Sequence, residues 1–326
     1  MTCVSLDQIV LPHVRKLCFA GAACDLHTDS AELTATLETL SVSVDTFCSG
    51  TFHMRVVVDD SSSETIGEPH FRGLHHVVIA SFGIANVFVF DILRRTLNAS
   101  VTAEVARDER FWKEKLIPIT LGVLGAAMGL VPMHCACLES NGDGLLIAGI
   151  SGAGKSTLSV ALSEQYFNYV SDDWTYISHG RDRIVAHGMS APVKLLPDAV
   201  KHFPVLQRYN IQTSMNGELA YEVDVAETFG AQLKRECQPR WLVFLERMPR
   251  AGSEFTPMSP AEALKYLDSS VEKLPKQLSR AAAMREKTIH SIAQLPCWRF
   301  GYGGTPQFAA TKLHQFVLDR KPGVCV

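Results

Sequence analysis

The alternation of apolar and polar residues changes period along the chain. In the first third the period is two. FHMRVVVDD (52–60) and HHVVIASFG (75–83) are rich in β-branched and aromatic residues and predict strands, with the polar run SSSETIGEP (61–69) as the loop between them. NVFVFDILRRT (86–96) predicts a strand running into a helix, and the charged ARDERFWKEK (106–115) predicts a helix. Beyond it the pattern alternates between strand and helix. HCACLES (134–140) predicts a strand, NGDG (141–144) a tight turn, and LLIAG (145–149) a buried strand. KSTLSVALSEQ (155–165) places Leu158, Ala161 and Leu162 on one helical face, and YFNYV (166–170) predicts the next strand. RIVAHG (183–188), ELAYEVDV (218–225), RWLVFLER (240–247) and CWRFGYGG (297–304) predict further strands. Residues 259–295 predict helix, interrupted near Pro275. This alternation describes an α/β chain, with a β-rich α+β domain over residues 1–112 and a second domain over 113–326.

Composition changes that picture little. The chain has 326 residues, 47% of them hydrophobic, which is ample for a packed core and suggests two domains or one large one. A formal net charge of −3 with interspersed signs gives no basic stripe for nucleic acid. The nine cysteines form no CxxC pair and predict reduced thiols and a cytoplasmic protein. In LPHVRKLCFAGAACDL (11–26) a basic pair precedes a small apolar run that ends at Cys24, too short for the apolar region of a signal. LIPITLGVLGAAMGLVPM (116–133) approaches the length of a membrane span, but its prolines and glycines predict a buried helix against a sheet instead.

The candidate chemistry sits in two stretches. GISGAGKST (149–157) has the form G-x-x-x-x-G-K-[ST] between a predicted strand and a predicted helix. Gly149, Gly152 and Gly154 let backbone amides approach phosphate oxygens, and Ser151, Ala153 and Thr157 complete the cradle. Lys155 would bridge the β- and γ-phosphates of ATP, and the Ser156 hydroxyl would ligate Mg²⁺. YVSDD (169–173) puts Asp172 and Asp173 at the carboxyl end of a strand expected beside the loop strand. Neighbouring strand residues face opposite ways, so one acid is expected on the metal shell and the other as proton acceptor. Asp173 is the one expected to share the metal with Ser156.

Taken together, His134, GISGAGKS and YVSDD resemble HPr kinase/phosphorylase, whose nucleotide core is shared with phosphoenolpyruvate carboxykinase. The family has its catalytic histidine where His134 stands, a G-x-S-G-x-G-K-S loop, and L-x-A-D-D. VDVAETFGA (223–231) is more loosely similar to the family's IIDVMNLFGA. The resemblance implies a phosphate-loop kinase core and a catalytic set of Asp172, Asp173, His134 and Lys155. Two departures narrow what it implies. NGELAYEV (216–223) replaces the family's E-x-R-G-x-G-I-I, putting Asn216 where a metal-site glutamate stands and displacing Glu218 by two. The family's basic R-K-Q-x-P-V-R-P-G loop has no counterpart. The resemblance therefore implies neither phosphorylase activity nor HPr as acceptor, and points to the divergent kinases found beside peptide natural-product genes. Some of those phosphorylate a serine of a ribosomally made peptide.

His134 is expected to orient the acceptor hydroxyl or a phosphate oxygen. A zinc site from His134, Cys135 and Cys137 is disfavoured, because strand alternation sends the histidine away from the cysteines. Lys194, Arg247 and Arg299 are secondary candidates for positive charge near a transferring phosphoryl group. The expected protein is an ATP- and Mg²⁺-dependent serine-type kinase acting on a protein or peptide, with a homo-oligomer possible and no nucleic-acid or membrane partner. A small-metabolite kinase and a nucleotide-gated regulator that transfers no phosphate stay open.

Overall fold

Period-two alternation becomes a seven-stranded sheet in the first of the two units that the chain forms, Met1–Val131 with Lys273–Glu286. The computed structural model describes residues 9–42, 48–60, 66–179, 183–189, 192–214, 217–269 and 279–320. Strands β1 (His13–Phe19) and β2 (Ala22–Thr28) form a hairpin turned by Ala20 and Gly21, both at positive φ. The stretch weighed as a signal is thus sheet. Helix α1 (Ala31–Leu40) is capped by the Ser30 hydroxyl, which accepts from the Leu33 amide. It crosses to β3 (Gly50–Asp59), parallel to β2. Strands β4 (His70–Leu74), β5 (Val77–Ser81), β6 (Val87–Asp91) and β7 (Thr96–Thr102) meander back antiparallel, and β7 closes parallel on β3.

Residues 86–96 do not run from strand into helix. The Asp91 carboxylate accepts the Arg94 amide, Arg95 takes φ 55°, and the chain reverses into β7. A local Asx contact of this kind competes with the first helical turn and here wins over it. Residues 106–115 are helical except at Asp108, which separates α2 (Ala103–Arg107) from α3 (Glu109–Phe111) and the π-helical turn Trp112–Leu116. The apolar run that follows is not one helix. It holds the eight-residue α4 (Ile117–Leu124), a 3₁₀ turn, and left-handed Gly129 before β8 (Leu130–Met133). No helix among the described residues is long and apolar enough to cross a membrane.

The second unit comprises Pro132–Glu272 and Lys287–Val326. Strands β9 (Ala136–Ser140) and β10 (Asp143–Ala148) form the hairpin that the Asn-Gly pair predicts, with Asn141 and Gly142 at positive φ. Helix α5 (Lys155–Ser163) follows the glycine-rich loop. Then come β11 (Asn168–Ser171), β12 (Thr175–His179), β13 (Ile184–His187), β14 (Val193–Leu195), β15 (Gln212–Thr213), β16 (Leu219–Val223), α6 (Val225–Phe229) and the long β17 (Glu236–Arg247). The remainder is β18 (Gly252–Met258), α7 (Pro260–Ser269), β19 (Cys297–Gly303), α9 (Pro306–Leu318) and the part of α8 (Ser279–Ala293) from Lys287 on, its earlier residues belonging to the first unit. The expected break near Pro275 lies outside the described residues.

The fold is mixed α/β. A nine-stranded sheet has the path β11-β9-β10-β17-β13-β12-β8, with β19 and β18 added where the far half of β17 leaves β13. A separate three-stranded sheet runs β14-β16-β15. Leu158, Ala161 and Leu162 of α5 pack, as their spacing predicts, into a core with Ile147, Val243, Phe300 and Leu313. Each leucine, isoleucine, valine or phenylalanine so removed from water contributes about 1.5–3 kcal/mol. That burial holds the start of α5 against the carboxyl end of β10.

Candidate functional site

The acid-bearing strand β11 is not beside the loop strand β10, because β9 lies between them. Both pairings are antiparallel, so β11 and β10 point the same way. Their carboxyl ends therefore meet one edge, and the two candidate stretches still converge.

At that edge the loop is built on unusual backbone. Gly149, Gly152 and Gly154 have φ 155°, 78° and 92°. A Cβ on Gly154 would lie 2.5 Å from the Tyr302 hydroxyl, so both the dihedral and the space call for glycine there. Gly154 is the N-cap of α5 and offers no side-chain acceptor to the helix's first amides. Those amides and the positive end of the helix dipole face the cleft, an arrangement suited to an anion. Lys155 is buried, and its Nζ donates to the carbonyls of Gly149 at 3.0 Å and Ile150 at 3.4 Å.

The two acids have different surroundings. Asp172 is pushed up to about 7, first by burial and then by the charge of Asp173, with a hydrogen bond from Ser156 acting the other way. Its Oδ1 is shut away from solvent and has no hydrogen-bond partner among the described residues. Asp173 sits at φ 46°, half exposed, with Oδ1 3.4 Å from Nε2 of His134. The hydrogen bond from His134 holds its carboxyl below the usual range, against the opposing effect of burial, and Lys155 and Lys194 add to the lowering. The adjacent acids thus differ in setting: Asp173 faces His134 across 3.4 Å, whereas Asp172 is held from solvent.

His134 does not open a strand. It lies in the bend between β8 and β9, at the centre of a three-residue turn closed by the Cys135 amide and the Met133 carbonyl at 2.9 Å. Asp173 centres a similar turn, closed by the Trp174 amide and the Asp172 carbonyl. The Trp174 ring stacks on His134 with centroids 5.8 Å apart. A buried brace joins the turns: the Thr175 hydroxyl donates to the Cys135 carbonyl and bonds the Ser171 hydroxyl, each at 2.7 Å. No group of three His, Cys, Asp or Glu able to hold a metal occurs among the described residues. Burial also pushes the Cys135 thiol up to about 12. Cys137 instead faces Cys237, with sulfurs 3.4 Å apart.

A cleft joins these parts. The loop from Ser151 to Thr157 lines it with His134 and Asp173, except that Ala153 is turned into the core. Lys194 and Arg247, both secondary candidates in the sequence, also line it. Arg299 does not accompany them and pairs with Glu246 at 3.9 Å. Glu218 reaches the lining, whereas Asn216 lies outside the described residues. The sequence reading missed Tyr302, His202 and Asp198. Tyr302 could have been found from its place near the end of a predicted strand, the edge where ligands of such sheets bind.

No family model matches the chain, and no curated protein matches it. Among solved structures it is similar to the Hpr(Ser) kinase/phosphatase from Coxiella burnetii, at 15% sequence identity and a TM-score of 0.32, covering 58% of this chain and 97% of that one. A likeness at that level defines neither family nor activity, so the chemistry must come from the residues themselves.

Proposed function

We propose that the second unit is an ATP- and Mg²⁺-dependent phosphotransferase that moves the γ-phosphoryl group to a serine-type hydroxyl on a protein or peptide. The observation that carries the reading is the cleft that the glycine loop shares with Asp173 and His134, 3.4 Å apart, next to the buried Oδ1 of Asp172. The loop amides and Lys155 would hold the phosphates, with Lys155 exchanging its loop carbonyls for phosphate oxygens. Ser156 and Asp172 would hold Mg²⁺. The buried, unsatisfied Oδ1 of Asp172 fits a hard cation, which is the partner that carboxylate lacks. When bound, the ion offsets charge on the β- and γ-phosphates. This proposal gives Asp172 the place beside Ser156 on the metal that the sequence assigns to Asp173.

In the reaction, the acceptor oxygen forms a bond to the γ-phosphorus as the bond from that phosphorus to the ADP oxygen breaks. The hydroxyl proton passes to Asp173, which His134 holds in place. A loose transition state asks for late proton removal, so an ionised carboxylate of lowered pKa suffices. His134 and Asp173 keep 40% and 49% of their side-chain surface exposed, which favours an acceptor group carried on a larger chain over an enclosed metabolite.

The test uses γ-labelled ATP, Mg²⁺ and serine-containing candidate peptides. Label is expected on serine with the wild-type chain and strongly reduced with Asp173→Asn. Acceptor-independent ATP loss that neither Asp172→Asn nor Asp173→Asn alters would overturn the reading, as would calorimetry showing no nucleotide uptake.

A further inference from the structure

The cleft holds a second fixed cation that the steps above leave idle. Arg247 is the last residue of β17, which runs parallel to β10. Ala148, the last residue of β10, is in register with Phe244, so the chain from Leu245 to Arg247 continues beside the glycine loop. Contact there is close: a Cβ on Gly149 would lie 3.0 Å from the Leu245 carbonyl oxygen. Alternation puts Leu245 and Arg247 on one face. Leu245 packs in the core with Ala153 and Leu158, and Arg247, one step farther on that face, lines the cleft with Gly152, Gly154 and Lys155.

Its guanidinium is already positioned. Cζ stands 4.6 Å from the centroid of Tyr302, the residue opposite Arg247 in the β17–β19 pair. Tyr302 is buried, stacks on Phe300 with centroids 5.7 Å apart, and donates from its hydroxyl to the Ala153 carbonyl at 3.4 Å. One ring therefore touches the loop at its rim and the guanidinium on its face. Among the described residues Arg247 takes part in no ion pair, whereas Lys194 has Glu222 at 3.9 Å. A planar guanidinium presents a fork of donors that matches phosphate oxygens.

We propose that Arg247 is a further catalytic residue, whose guanidinium, held on the Tyr302 ring, contacts the transferring phosphoryl group and offsets the charge on its oxygens. This rests on the phosphotransferase reading above. The arginine neither gives nor takes a proton, and the bonds made and broken are those of the transfer.

The test needs no acceptor. Binding of MgADP, and of MgADP with aluminium fluoride as a mimic of the transferring group, is measured for the wild type, Arg247→Ala and Arg247→Lys, with melting curves to show that each variant folds. MgADP affinity is expected to change less than about threefold. The fluoride complex is expected to weaken by about a hundredfold or more in Arg247→Ala, a conservative share of what such an arginine supplies. Arg247→Lys should recover only part, because it keeps the charge without the fork, and it carries the test if Arg247→Ala does not fold. Equal losses for both ligands, or no loss for either, would overturn the role of Arg247 alone. A wild-type chain that does not bind MgADP would overturn the phosphotransferase reading and this inference with it.

Discussion

Both units place residues at positive φ, and they use them differently. In the first unit Ala20, Gly21, His75, Gly83 and Arg95 each turn the chain between strands of one sheet. In the second unit Asn141 and Gly142 do the same, but Gly149, Gly152, Gly154 and Asp173 gather at one sheet edge with Lys155 and His134. A left-handed residue by itself therefore marks only a turn. It points to a site where several converge on opposite charges that nothing in the turn geometry requires. Asp173 states the case most clearly, because a non-glycine residue at φ 46° gains nothing that a glycine would not give more cheaply.

The largest expected effect breaks the comparison at that residue. Asp173→Asn keeps shape and φ preference but removes the proton acceptor. Phosphoryl transfer should fall by about 10²–10⁴-fold while MgADP affinity stays close to wild type, read by single-turnover transfer and calorimetry. If transfer survived, Asp173 would be a turn residue like those of the first unit.

Next comes a stability difference specific to the second unit. His187 on β13 is buried, bonded to the Ser178 hydroxyl at 2.8 Å, and pushed down from 6.5 to about 4 by burial. The folded state thus binds this proton less readily than the unfolded state. The stability it contributes is complete above pH 6.5 and is lost as pH falls toward 4. The loss is at most about 3 kcal/mol, since Glu236, 3.6 Å from Nδ1, favours the charged ring. His187→Gln, which keeps a polar side chain, should flatten denaturant midpoints over that range. An unchanged slope would show that burial does not set this histidine's charge.

A glycine exchange sharpens the contrast directly. Gly83→Ala and Gly154→Ala both force alanine to φ near 90°, at about 1–2 kcal/mol each. Only Gly154→Ala also drives a Cβ to 2.5 Å from the anchored Tyr302 hydroxyl. It should weaken MgADP binding at least about tenfold, while Gly83→Ala leaves binding untouched and costs stability alone. Equal effects on binding would mean that the loop is no different from a hairpin turn.

What the sequence disclosed follows the range of the forces involved. The Asn141–Gly142 hairpin, the glycine loop and the buried face of α5 are set by residues a few positions apart, and each was legible. In the stretch 86–96, Leu93, Arg94 and Arg95 are compatible with helix, and one Asx contact from Asp91 turns the chain instead. The insertion of β9 between β10 and β11 is a pairing choice that no local pattern encodes. The place of Tyr302 near a strand end was legible, but its contacts were not: its partners, Ala153 and Arg247, are remote in sequence and meet only once β19 has paired with β17.

The smallest expected effect concerns how the charges of the second unit are kept together. Thr175 bonds the Cys135 carbonyl and the Ser171 hydroxyl, so one buried side chain ties the turn of His134 to the turn of Asp173. Thr175→Val has nearly the same shape and removes both bonds, leaving a buried carbonyl and hydroxyl to find other partners at about 1–3 kcal/mol. If the brace sets the 3.4 Å separation of His134 and Asp173, transfer should fall about tenfold with MgADP affinity unchanged, because displaced reacting groups cost rate rather than ground-state binding. Thr175→Ser retains the hydroxyl and should restore most of the rate. A variant that melts earlier yet transfers phosphate at the wild-type rate would make the brace structural. The pairing of the two turns would then be credited to the stacking of Trp174 on His134.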